Sequence, residues 1–184
     1  MNSSKRILAY GDSYLTGYGV PVGKNFLALL EEKLPQVIMS RGENGATAEE
    51  TWAQILRHPP REGDLVLLHF GLNDCLGPMP LEGIRARTQE ILGEVEARGG
   101  RSLMILPTLP SMVGEEELSY IAAYISFENR LREFRSLTPG YDPQELFSSQ
   151  DRYYMDGLHL NEEGHQLLAQ WVHGILVEDF PEYV

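Results

Sequence analysis

Short apolar runs alternate along the chain with longer stretches in which apolar residues recur every three or four positions. Ile7-Leu8-Ala9-Tyr10, Val37-Ile38-Met39, Leu65-Val66-Leu67-Leu68 and Leu103-Met104-Ile105-Leu106 read as strands. The third run is apolar throughout, as expected of a central strand covered on both faces. Helical spacing places Phe26, Leu29, Leu30 and Leu34 on one side of a helix over about 25–33, which Pro35 stops. The polar, glycine-rich stretch 40–45 reads as a loop. Thr47 and Glu50 then have the spacing of a capping box, opening a helix with Trp52, Ile55 and Leu56 that His58-Pro59-Pro60 ends.

Pro80 sits early in the next helix, where Ile84, Thr88, Ile91, Leu92 and Val95 repeat before Gly99-Gly100. A loop over 107–117 follows the fourth strand. A helix over about 118–134 is then expected to bury Ile121, Tyr124, Ile125 and Leu131. The segment 136–150 carries turn residues and two prolines but no clear strand. Asn161 caps a last helix whose stripe is Leu167, Leu168, Trp171, Val172 and Ile175. This alternation predicts an α/β fold around a mainly parallel sheet of four to five strands.

At 184 residues the chain fits a single domain over 1–184, with no repeat or linker dividing it. About 70% of its extended surface can be buried at this size, so the core needs no disulfide or metal. The 15 basic residues face 27 acidic ones, a formal net charge of −12. That balance disfavours nucleic acid and anionic membranes as partners. Cys75 is the one cysteine, which excludes an intrachain disulfide and a thiolate metal cluster; it reads as a small buried filler. The first apolar run is too short for a secretory segment or a membrane span, so a cytoplasmic protein without stable membrane insertion is expected.

The chemistry gathers in the loops after the apolar runs. In an open parallel sheet the carboxyl ends of strands share one edge, so loops distant in sequence converge there. Ser13 directly follows the first strand in a glycine-containing turn, where a serine can present its oxygen while its own N–H faces an anion pocket. Asp156 and His159, separated by Gly157 and Leu158, can pair through Nδ1 and leave Nε2 to accept a serine proton. The Gly45 N–H and the Asn73 carboxamide can supply donors to a developing oxyanion. Each residue also has a plainer role: Ser13 as a cap, Asp156 and His159 in a solvated loop, Gly45 and Asn73 as turn formers.

Together, Gly11-Asp12-Ser13-Tyr14-Leu15, Gly45 within Glu43-Asn44-Gly45-Ala46-Thr47, Gly71-Leu72-Asn73-Asp74 and Asp156-Gly157-Leu158-His159 resemble the four signature blocks of the SGNH/GDSL hydrolases. The resemblance implies a three-layer α/β/α sandwich, the flavodoxin-like SGNH fold, and serine esterase activity. Within the family it points to the compact bacterial lysophospholipase, thioesterase and arylesterase branch. By the same resemblance Ser13 is the nucleophile, Asp156 and His159 complete the triad, and Ser13, Gly45 and Asn73 form the oxyanion hole. No cofactor and no metal are implied, and the expected partner is a small-molecule ester or thioester.

Two positions depart from the pattern. Tyr14 stands where Leu or Ile is commoner, and Ser40 where the second block often has Asn. Asp12 and Asp74 are expected to support loops. Tyr14, Tyr18, Leu72, Leu76, Leu109 and Met112 are expected to line an apolar substrate pocket. His69 is expected to pack or to make a structural hydrogen bond, with no acidic partner at diagnostic spacing. His58, His165 and His173 lack a metal-binding pattern. A carbohydrate O-deacetylase or acyltransferase would use the same serine, whereas a small-ligand or protein-binding member of the fold would not need it. The sequence carries no signal for an oligomeric state.

Overall fold

The computed structural model describes residues 5–110, 118–147 and 151–184. In chain order the elements are β1 (Ile7–Gly11), α1 (Ser13–Thr16), α2 (Phe26–Glu31), β2 (Ile38–Gly42), α3 (Ala48–Arg57), β3 (Leu65–His69), α4 (Leu72–Leu76), α5 (Leu81–Ala97), β4 (Arg101–Met104), α6 (Leu118–Leu137), α7 (Gln144–Phe147) and α8 (Glu162–Asp179). The four strands are all parallel and run in the order β2-β1-β3-β4.

Alternation along β1, β3 and β4 sends side chains to two separate cores. Ile7, Ala9, Leu65, Leu67 and Leu103 pack beneath α2 and α8, meeting Phe26, Leu30, Leu168, Val172 and Leu176. Leu8, Tyr10, Val66, Leu68 and Met104 face Ile55 of α3, Ile84, Ile91 and Val95 of α5, and Phe127, Leu131 and Phe134 of α6. Helices on both faces of one parallel sheet make the three-layer α/β/α sandwich, and β3, buried at every residue, is a central strand.

The structure moves several predicted boundaries. Ser40-Arg41-Gly42, read as loop, belongs to β2, and Val37 precedes the strand. As an edge strand, β2 is held by its ladder with β1, so its polar residues can face water. Pro80 lies immediately before α5, in its N-cap position. In α6 the buried face is Phe127, Leu131 and Phe134, while Ile125 is 51% exposed and Tyr124 half-buried; the Ile121 side chain lies outside the described residues. The capping box of Thr47 and Glu50 and the Asn161 cap on α8 form as predicted.

A fifth strand is reduced to one residue. Tyr141 makes a parallel bridge with Ile105, donating its N–H to the Met104 carbonyl (2.8 Å) and accepting that of Leu106 (2.9 Å). Pro139 and Pro143 flank it and cannot donate to a ladder. A Cβ on Gly140 would lie 2.8 Å from the Met104 carbonyl oxygen, so this close approach needs glycine.

Candidate active site

β1, β2 and β3 end side by side, with Gly11 opposite both Gly42 and His69. The chain turns at Gly11, whose φ of 153° and whose position against His69 leave no space for a Cβ: one would stand 1.8 Å from the His69 carbonyl oxygen. Asp12 follows as the cap of the one-turn helix α1, its carboxylate accepting the Tyr14 N–H at 3.1 Å. Ser13 is the first residue of α1 and is 4% exposed. Its Oγ has no hydrogen-bond partner among the described residues.

Gly45 occupies a left-handed turn with φ 79°, and a Cβ there would touch nothing within 4 Å. The turn therefore selects glycine for its backbone conformation rather than for space. Two ties hold this loop, one to α1 and one to α4. Thr16 hydrogen-bonds the Asn44 side chain, and Asn73, in α4, donates its Nδ2–H to the Ala46 carbonyl at 3.0 Å. Asp74 accepts the Ala48 N–H through both carboxylate oxygens, each at 3.0 Å, at the start of α3. Burial pushes the Asp74 carboxyl up to about 6, against the opposing pull of the Ala48 N–H.

The segment before α8 folds back on itself through the antiparallel bridge Tyr154–Leu160 and the Met155 N–H to His159 carbonyl bond of 2.9 Å. Gly157 takes φ 79° at its tip. Asp156 Oδ2 lies 2.7 Å from His159 Nδ1, while Oδ1 accepts the backbone N–H groups of Leu158 (3.0 Å) and His159 (2.7 Å). Desolvation pulls the Asp156 carboxyl upward, but these three hydrogen bonds outweigh it and hold the group below its ordinary value. The result is an ionised acid fixed against one ring nitrogen.

The six expected pocket residues divide. Tyr18 is 49% exposed and its ring meets the His159 imidazole at 4.5 Å between centroids. Leu76 is 53% exposed. Leu72 and Tyr14 are both buried, at 1% and 2% exposure. Leu109 is half-buried and lines a cavity of about 310 Å³ with Arg135, Asp142 and Gln144. Met112 lies outside the described residues.

His69 holds the main surprise. It has an acidic partner: its Nδ1 is 2.8 Å from Asp12 Oδ1, with both side chains buried. Its ring stacks on that of Tyr14 at 4.4 Å between centroids and 15° between planes. Thr108 carries no local signal in the sequence, yet its hydroxyl meets that of Tyr14 at 2.8 Å. The strand register was the available signal for His69, because it sets the end of β3 beside the residue preceding Asp12.

The sequence matches the GDSL-like lipase/acylhydrolase family over residues 9–167, and the chain belongs to that family. It is a carboxylic-ester hydrolase of the SGNH/GDSL type. A similar protein is an arylesterase from Vibrio mimicus, 24% identical over 188 residues that cover 96% of this chain and 90% of the relative. Among solved structures, a lipolytic protein of the G-D-S-L family from Desulfitobacterium hafniense superposes with a TM-score of 0.73 at 18% identity, covering 94% of this chain and 99% of the other. A psychrotrophic esterase from Pseudoalteromonas sp. gives 0.65 at 18% identity, covering 95% and 97%.

Proposed function

We propose that the chain hydrolyses small or medium acyl and aryl esters through an acyl-enzyme on Ser13. The observation that carries this reading is the Asp156–His159 pair, 2.7 Å apart and opposed by Tyr18 from the nucleophile segment. In the first half-reaction His159 Nε2 takes the Ser13 proton as Oγ bonds to the ester carbonyl carbon. Asp156 fixes the ring tautomer and offsets the imidazolium charge. The oxyanion is received by the N–H groups of Ser13 and Gly45 and by the Asn73 carboxamide. The tetrahedral adduct collapses, the C–O bond to the leaving alcohol breaks, and His159 returns the proton to that alcohol. Water then repeats the sequence, with His159 as base, and releases the carboxylic acid and free Ser13.

Asp12 and Asp74 serve as loop supports, the first beneath the nucleophile turn and the second at the start of α3. The exposed Tyr18 ring and Leu76 offer apolar surface to an acyl or aryl group, and the arylesterase relative supports an aryl ester within that class. Lysophospholipids and thioesters belong to the same acyl chemistry.

The test is turnover of p-nitrophenyl esters from acetate to long acyl chains by the wild type and Ser13→Ala. Turnover by the wild type that collapses in the variant is expected, and its chain-length profile sizes the acyl site. Substantial and equal turnover by both would remove Ser13 from the mechanism.

A further inference from the structure

Tyr14 directly follows the nucleophile, and its ring is buried between the nucleophile turn and the segment that carries His159. Its hydroxyl is 2.9 Å from the Leu158 carbonyl oxygen and 2.8 Å from Thr108 Oγ1. A phenol has one proton, and a carbonyl can only accept. Tyr14 therefore donates to Leu158, and Thr108 donates to Tyr14. Burial holds the phenol well above its ordinary range, so it remains a donor at working pH.

The Leu158 carbonyl belongs to the peptide unit whose N–H is that of His159. That N–H donates to Asp156 Oδ1 at 2.7 Å. One peptide plane is thus held at both ends, by the triad acid on its N–H side and by the neighbour of Ser13 on its carbonyl side. A hydrogen bond to the carbonyl also polarises the amide and strengthens its N–H as a donor. We propose that Tyr14 is a positioning residue for His159, its hydroxyl and Asp156 clamping the Leu158–His159 peptide so that the imidazole is set against Ser13. This rests on the Ser13–His159 mechanism above.

The role is separable from ordinary packing. Tyr14→Phe keeps the ring that stacks on His69 and removes both hydrogen bonds of the hydroxyl, the grip on Leu158 and the bond from Thr108. Thr108→Val removes the other hydrogen bond of the same hydroxyl and leaves that grip intact. Both variants lose a buried hydrogen bond, so both should unfold at a lower temperature than the wild type.

Their kinetics should differ. With p-nitrophenyl butyrate, Tyr14→Phe is expected to lower kcat about 10- to 100-fold with KM within about twofold, because a small displacement of a catalytic group acts on the transition state. Thr108→Val should stay within about threefold of wild-type kcat if the catalytic geometry is kept. Labelling of Ser13 by a fluorophosphonate should slow in parallel with kcat in Tyr14→Phe. Wild-type kcat in Tyr14→Phe, or an equal loss in both variants, would overturn the positioning role. Ser13→Ala run alongside separates the two levels: if it stays active, the mechanism fails and the proposal falls with it. If it is inactive while Tyr14→Phe is unimpaired, only the proposal fails.

Discussion

Asp12 and His69 form a buried pair across the ends of β1 and β3, with Oδ1 and Nδ1 2.8 Å apart. The contact follows from the parallel register, which sets Gly11 beside His69 and turns Asp12 back over the end of β3. The same carboxylate oxygen accepts the Tyr14 N–H, so the pair anchors the turn that presents Ser13. Asp12 Oδ2 has no partner among the described residues, which leaves His69 as the side chain that satisfies the buried acid.

Removing His69 should therefore cost more than an average core truncation. His69→Ala strands a buried carboxyl group and also takes away the ring stacked on Tyr14. The expected loss is about 3–5 kcal/mol of unfolding free energy. Denaturant titration measures it. The double variant Asp12→Asn/His69→Ala removes the stranded acid as well and should recover part of the loss. A loss below about 1 kcal/mol in the single variant would show that the pair anchors nothing.

Asn73 is expected to matter to rate rather than to affinity. Its Nδ2 carries two protons, one engaged by the Ala46 carbonyl and the other without a partner among the described residues, available to an oxyanion. Loss of one such donor lowers kcat by about 10²–10³. Steady-state kinetics of Asn73→Ala should show that fall with KM changed only a few-fold. An unchanged kcat would leave Asn73 as a loop tie alone.

Cys75 should be inert in the folded protein. It is buried, and desolvation pushes its thiol up to about 12, so almost no thiolate exists at neutral pH. Thiol titration should give no rapid reaction until denaturant is added, and Cys75→Ala should keep the esterase activity. Rapid labelling of the native protein accompanied by inactivation would contradict this.

The sequence made the layers and the candidate site legible for different reasons. Strands β1 and β3 and the end of β4 are apolar because both sheet faces are covered, and the caps at Thr47 and Asn161 are local hydrogen-bond patterns. The Asp156–His159 pair was legible because the two residues are three positions apart. What escaped depends on long-range placement. Asp12–His69 spans 57 residues and Tyr14–Leu158 spans 144, so no local spacing announces either. The polar end of β2 and the single bridge at Tyr141 escaped because edge strands are held by backbone hydrogen bonds, which leave little trace in hydrophobicity.

Acid stability should reveal two buried groups that act in opposite directions. His165 is buried on α8, where its Nδ1 accepts the Phe26 N–H at 3.2 Å, and burial, reinforced by His69 and His159, depresses it to about 4. The unfolded state protonates this histidine first, so its contribution is present above about 6.5 and is lost as pH falls toward 4, a change of about 3 kcal/mol. Asp74 has the reverse sign. With its folded value raised to about 6, the native state holds the proton more tightly, and its contribution of about 3 kcal/mol is present below about 3.8 and lost as pH rises through 6. Over pH 4–6 the two slopes nearly cancel in the wild type. Asp74→Asn should unmask the histidine, becoming less stable relative to the wild type as pH drops through this window. His165→Gln should do the opposite, gaining on the wild type as pH falls. Urea unfolding of the three proteins at several pH values reads both differences, and exposed carboxylates common to all three drop out. Parallel curves for all three would mean that neither group titrates differently on folding.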